Sequence, residues 1–270
     1  MKRRMNPRGV ACILLELVVL VWVLMHGQPK SSEPLADSAV VPAPAVRGLS
    51  AQCGVANPGR VVWVRYESSD EYSAYGFYIS LHDAGADSVV SKTIQDTRQY
   101  PSVGELHSVC EYLRGSVDCG PDKVFVEVGA SIGMVSLYAA SRGMRVYAFD
   151  PVLPNVQRLA ESACLNGRAY CAERSTECAN SSEWGPFSPA NFRVLWNLVG
   201  SASKAAQSVR TEPGNLAATM RGGGGYAAEV GMVTLDRVVD TPIEVLLLTC
   251  QGFELDVSFF LLYLDRPTTN

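Results

Sequence analysis

The chain has 270 residues, 47% of them apolar, which is enough for one domain with a sizeable core plus a tail. Lysine and arginine total 23 against 27 acids, a net charge of -4, so the basic footprint of a nucleic-acid partner is missing.

Lys2, Arg3, Arg4 and Arg8 precede Gly9 to Met25, a run that is apolar apart from Glu16. Basic residues before an apolar run are the layout of a membrane-targeting segment, and at 1.5 Å per residue it spans roughly 26 Å, close to a thin secretory-pathway bilayer. "LMHGQPK" offers no small-x-small cleavage site. Residues 9–25 therefore read as a signal anchor with the N-terminus in the cytoplasm and the rest lumenal, in the endoplasmic reticulum or Golgi. A cleaved signal, giving a secreted protein, is the alternative.

Residues 29–60 are rich in Pro, Ala and Ser without apolar periodicity and read as a linker. "VVWVRY" and "YGFYISL" predict two strands, and "SVGELHSVCEYLRG" a helix after a loop. With Cys12 in the apolar run and Cys250 in a predicted core strand, Cys53, Cys110, Cys119, Cys164, Cys171 and Cys178 are left for disulfides or free buried thiols. Their spacing suits no zinc site, and no metal is expected. "NSS" at 180–182 is a glycosylation sequon.

From residue 123 the pattern alternates. "KVFVEVG" predicts a buried strand, "IGMVSLYAASRG" a helix stopping at Gly143, "MRVYAFD" a second strand, and "PNVQRLAESACLNG" a helix opened by Pro154 and closed by Gly167. "FRVLWNLVGS" predicts one further strand, "TMRGGGGYAAE" a glycine-rich loop, and "GMVTLDRVVD" and "IEVLLLTCQGFELDV" a last strand pair, with Asp236 as a strand-end or capping acid. The expected fold is α/β, doubly wound around a mainly parallel sheet. The expected domains are a tail and anchor (1–28), a linker (29–60), an N-terminal subdomain (61–122) and the α/β domain (123–270).

In such a sheet ligands sit beyond the carboxyl ends of the strands. Glu127 and the turn Gly129, Ala130, Ser131, Ile132, Gly133 lie there, and Asp150 closes the next strand at the spacing that suits ribose hydroxyls. Ser131 stands where a dinucleotide site has its middle glycine, and Glu127 would repel a pyrophosphate, so a nicotinamide-dependent oxidoreductase is disfavoured. A ligand with a cationic end fits, and S-adenosyl-L-methionine has that character.

"VFVEVGASIGMVSLYAASRGMRVYAFDPVLPNVQRLAESACLNG", then "WNLVGS", "VTLD" and "LLLTCQGFELDV", resembles the FkbM family of S-adenosylmethionine-dependent methyltransferases, from about residue 60 to 262. The resemblance implies a class I methyltransferase fold. It places Glu127, Gly129, Ala130, Ser131 and Gly133 along the cofactor, Asp150 on the ribose and Asn197 near the adenine. It also implies methylation of a hydroxyl, which in a lumenal setting would belong to a glycan or other glycoconjugate. His107 and Glu254 are candidate general bases.

Two departures stand out. Leu247 and Thr249 replace the lysine and aspartate usual in the family's "KIDxE/QGxE" strand, which admits a catalytically inactive binding protein. Few residues follow Glu254, so strand 245–250 is expected to be a sheet edge, in a fragment, under a partner, or under the residues before 123.

Overall fold

The computed structural model describes residues 53, 60–67, 74–100, 103, 106, 107, 110, 119–173, 181–200, 206–219 and 225–249. All fall in one compact unit, Val40–Phe260. The apolar run 9–25, Glu254, Cys178 and Asn180 lie outside the described residues. Among those that are described, no helix is long and apolar enough to cross a membrane.

The N-terminal strands form a hairpin, β1 (Arg60–Glu67) antiparallel to β2 (Ala74–Leu81), as their alternation predicts. A helix then appears where the sequence reads as a loop: α1, Val90–Thr97. Its polar residues hide the period, and its start depends on Asp87, whose carboxylate accepts the amides of Val89, Val90 and Ser91. Val103, Leu106, His107 and Cys110 lie in helical backbone, in the segment expected to be a helix.

The strand and helix alternation after residue 123 is realised as β3 (Val124–Val128), α2 (Met134–Ser141), β4 (Arg145–Phe149), α3 (Leu153–Glu173) and β5 (Phe192–Leu195). With β10 (Val245–Leu248) these strands form a four-stranded parallel sheet in the order β5-β4-β3-β10. The chain steps from β3 to β4 and β5 on one side, then returns to pair on the other. The gap beyond the carboxyl ends of β3 and β10 is thus a topological switch point.

Helix α3 runs six residues past the expected stop at Gly167, to Glu173. Gly167 serves packing instead: a Cβ there would lie 2.5 Å from Trp184 Cδ2. The strand expected at 192–201 divides into β5 and the two-residue β6 (Leu198–Val199), which belong to different sheets. The second sheet, in the order β6-β9-β7-β8, adds β7 (Ala206–Glu212), β8 (Asn215–Thr219) and β9 (Ala227–Val233). It has one parallel and two antiparallel pairings, so the molecule is less parallel than expected. Strand β7 offers few large apolar residues; Val209 and Thr211 alone point inward. Asp236 lies in the first turn of the short helix α4 (Leu235–Val238).

The hairpin and the parallel sheet share a core. Val62, Val64, Phe77, Ile79 and Leu81 share one core with Phe125, Leu137, Tyr138, Val146 and Leu159. Helix α2, lying between the hairpin and the sheet, is buried from Met134 to Ala140, which explains its lack of a polar face. The free edge of β2 is closed by α3: Asn166 accepts from the Tyr78 amide and donates to the Tyr78 carbonyl, each at 2.7 Å, and Ser162 Oγ accepts the Ser80 amide at 2.9 Å. Side chains one turn apart on α3 thus stand in for a neighbouring strand and satisfy backbone that would otherwise be buried unpaired.

Of the six candidate cysteines, Cys53 is bonded to Cys164 and Cys110 to Cys119, while Cys171 is also in a disulfide.

Candidate functional site

A pocket opens at the switch point. Its walls are Glu127 on β3, the turn Gly129–Gly133, Met134 and Val135 at the start of α2, Thr249 after β10, and Val90 and Tyr100 from the N-terminal part. Its volume is about 70 Å³, well below the roughly 300 Å³ at which small-molecule sites begin.

The turn is bent by three left-handed residues, Gly129 (φ 90°), Ser131 (φ 51°) and Gly133 (φ 83°). Gly133 is required twice over, because a Cβ there would also collide with Leu159. Four of the turn's amides are already committed. Those of Gly129 and Ala130 donate to the Phe149 carbonyl, that of Gly133 to Ala130, and that of Ser131 to Asp150 Oδ2 at 2.8 Å. What the turn does offer is a hydroxyl. Ser131 Oγ is buried on the pocket wall with no hydrogen-bond partner among the described residues. Buried polar atoms of this kind normally have partners, so this hydroxyl is open to a water or a bound molecule.

Glu127 is 3% exposed, and its Oε2 accepts the Ser136 hydroxyl at 2.5 Å. Burial pushes its carboxyl up to about 8, the Ser136 hydroxyl and amide partly oppose that, and the charge of Asp150 adds to it. The acid therefore also caps the first turn of α2 from outside the helix. Asp150 is 5% exposed and is pushed up to about 7 by burial, opposed by the amides of Val152 and Ser131 and by Asn155. Its Oδ1 accepts from Val152 N at 2.9 Å and from Asn155 Nδ2 at 3.3 Å. Counting the Ser131 amide, three of about four lone-pair positions are used. One position remains for a further donor.

The other expected residues divide. Asn197 does not line the pocket; its Nδ2 donates to the Gly231 carbonyl of β9 at 3.2 Å, so it ties the two sheets together. His107 also lies off the pocket, with Nδ1 2.6 Å from Tyr138 Oη on α2 and its ring edge-on to the same tyrosine. Thr249, in the place of the usual aspartate, donates its hydroxyl to the carbonyls of Val128 at 3.3 Å and Gly129 at 2.9 Å. Leu247 packs against the core. Among the described residues no cluster of His, Cys, Asp or Glu could hold a metal ion.

Sequence reasoning missed Val90 and Tyr100, which no motif marks, and Asn155, which follows the second acid by five positions. Its neighbour Pro154 was visible as a helix opener, but no local pattern tells that the asparagine folds back on Asp150.

No family model matches the chain, and no solved structure matches it. A stretch of 50 residues, 18% of the chain, is 48% identical to part of the AMB antimetabolite synthetase AmbE of Pseudomonas aeruginosa. The chain spans about 2% of the length of that curated relative. A match of that extent carries no family assignment. On its own coordinates the molecule is an α/β protein whose parallel sheet, flanked by helices, is compatible with a Rossmann-like fold.

Proposed function

We propose that this chain has the class I methyltransferase fold of the FkbM family, binds S-adenosyl-L-methionine at the switch point, and methylates a hydroxyl of a sugar or glycoconjugate. The observation that carries the reading is the pair of buried carboxylates, Glu127 and Asp150, at the carboxyl ends of adjacent parallel strands, on either side of a turn nearly bare of side chains.

The residues fit the cofactor unequally. Glu127 on the pocket wall, giving up its proton as the cation arrives, would take the ammonium of its amino-acid end, and the unpartnered Ser131 hydroxyl a neighbouring polar atom. Asp150, which is buried and is not among the residues lining the pocket, has one acceptor position left for a ribose hydroxyl. When bound, S-adenosylmethionine supplies an electrophilic methyl group. The protein then needs chiefly to align the acceptor oxygen with it, and positioning contributes much of the acceleration in such transfers. Val90 and Tyr100, which also line the pocket, would shape the acceptor side.

The disulfides favour an oxidising compartment. Together with the basic residues before the apolar run 9–25, they support a type II single-pass protein of the endoplasmic reticulum or Golgi, or a secreted one.

A second reading, a binding protein without turnover, is favoured by Thr249, whose hydroxyl is spent on two carbonyls where an acid is usual. Calorimetric titration of S-adenosylhomocysteine into the full chain and into Glu127→Gln tests the first. Saturable binding that the variant loses supports the cofactor site, and methyl transfer to a glycan panel then separates the two readings. A folded protein with no heat of binding overturns both.

A further inference from the structure

Asn155 is a junction. It is 1% exposed, on the first turns of α3, and its amide reaches three separate segments. Nδ2 donates to Asp150 Oδ1 at 3.3 Å and to the Leu216 carbonyl of β8 at 2.8 Å. Oδ1 faces His82 Nε2 at 3.0 Å, at the end of β2. The two acceptors fix which way the amide points, because the flipped side chain would set its oxygen against a carboxylate and a carbonyl. The side facing His82 is therefore an acceptor, and the imidazole must carry its proton on Nε2.

His82, directly after the hairpin, is in turn held by α1. Its amide donates to Ser91 Oγ at 3.1 Å, and Ser91 belongs to the α1 turn that Asp87 caps. Burial, the largest effect, lowers the pKa of the ring, while the hydrogen bond with Asn155 and the charges of Asp87 and Asp83 raise it and that of Arg158 lowers it. A continuous path of hydrogen bonds thus runs from the start of α1 through Ser91, His82 and Asn155 to Asp150, and from Asp150 into the turn at Ser131.

We propose that His82 and Asn155 are positioning residues for the Asp150 carboxylate, so that the N-terminal hairpin sets the geometry of the ligand site without lining it at that point. This rests on the cofactor reading for its ligand, but not for its geometry. The Nε2–H of His82 holds the Asn155 amide in one orientation, and that amide holds Oδ1 of Asp150.

The test compares His82→Gln, which keeps a side-chain N–H donor, with His82→Leu, which does not, in the full disulfide-bonded chain. Two readouts are taken: the carbon-13 titration of the Asp150 carboxyl, and the affinities for adenosine and 2′,3′-dideoxyadenosine. Expected for His82→Leu is an Asp150 titration displaced upward, as the Asn155 donor is lost, and adenosine affinity weakened about tenfold, the size of one hydrogen bond. Dideoxyadenosine affinity should be unchanged, and His82→Gln should restore both readouts. If His82→Leu does not fold, His82→Phe removes the donor at closer volume. An Asp150 titration identical in wild type, His82→Leu and His82→Gln overturns the positioning role. A wild type indifferent to the ribose hydroxyls, with the titration displaced as expected, overturns the cofactor reading alone.

Discussion

The Ser136 hydroxyl donates to Glu127 Oε2 at 2.5 Å, joining the third residue of α2 to the strand that precedes it. The bond crosses the turn, so the acid that faces the pocket also anchors the helix on its far side. Burial nevertheless outweighs this donor, and the carboxyl is raised to about 8.

That displacement has a sign. Between about pH 4.5 and pH 8 the folded protein keeps a proton on Glu127 that the unfolded chain has released, so stability falls as pH rises across that window. Glu127→Gln, a close match in shape to the protonated acid, is expected to be as stable as wild type near pH 5 and more stable at pH 9. Urea denaturation at the two pH values checks it, and parallel losses in both proteins would show that Glu127 is not the group responsible. Any slope left in the variant belongs in part to Asp150, which is raised to about 7.

Thr249→Val removes a hydroxyl that bridges two carbonyls while keeping the branched shape. The expected cost is about 1 kcal/mol in chemical denaturation, the typical worth of such a bond. Affinity for S-adenosylhomocysteine should be unaffected, since the hydroxyl faces the protein; a large loss of affinity would mean that it also serves the ligand.

Alanine in place of a mid-helix glycine ordinarily stabilises by roughly 1 kcal/mol. Gly167→Ala is expected to reverse that sign, because the new Cβ would meet the rigid indole of Trp184 at 2.5 Å. A melting temperature above wild type would show that Trp184 can move aside.

Two of the disulfides close loops of very different length. Cys53–Cys164 spans 111 residues and Cys110–Cys119 spans 9. The loop-entropy relation assigns them about 5 and about 3 kcal/mol respectively. Cys164→Ser should therefore lower the unfolding free energy more than Cys119→Ser, measured by denaturant titration without reductant. Equal losses would place the effect in local packing.

Much of this molecule is legible in its residues. The hairpin strands alternate, β3 and β4 are apolar runs of strand length, and the small residues between Glu127 and Met134 announce a turn that large side chains could not make. Errors fall where one residue type has two uses. Gly167 reads as a helix stop because glycine lacks a side chain, yet it lies inside α3 for the same reason, to admit Trp184. The family resemblance sets Asn197 near the adenine, and only the structure shows that its amide donates to a carbonyl 34 residues away.

What the sequence determined by itself is the order of strands and helices and the presence of two acids at strand ends, because periodicity and turn chemistry act over a few residues. Tertiary structure alone decided how much of each acid is left for a ligand. Ser136, Ser131, Val152 and Asn155 already engage the two carboxylates, and the asparagine is held in turn by a histidine 73 positions earlier. Such bonds depend on which surfaces the core brings together, and burial then raises both acids by excluding the water that would otherwise stabilise their charge.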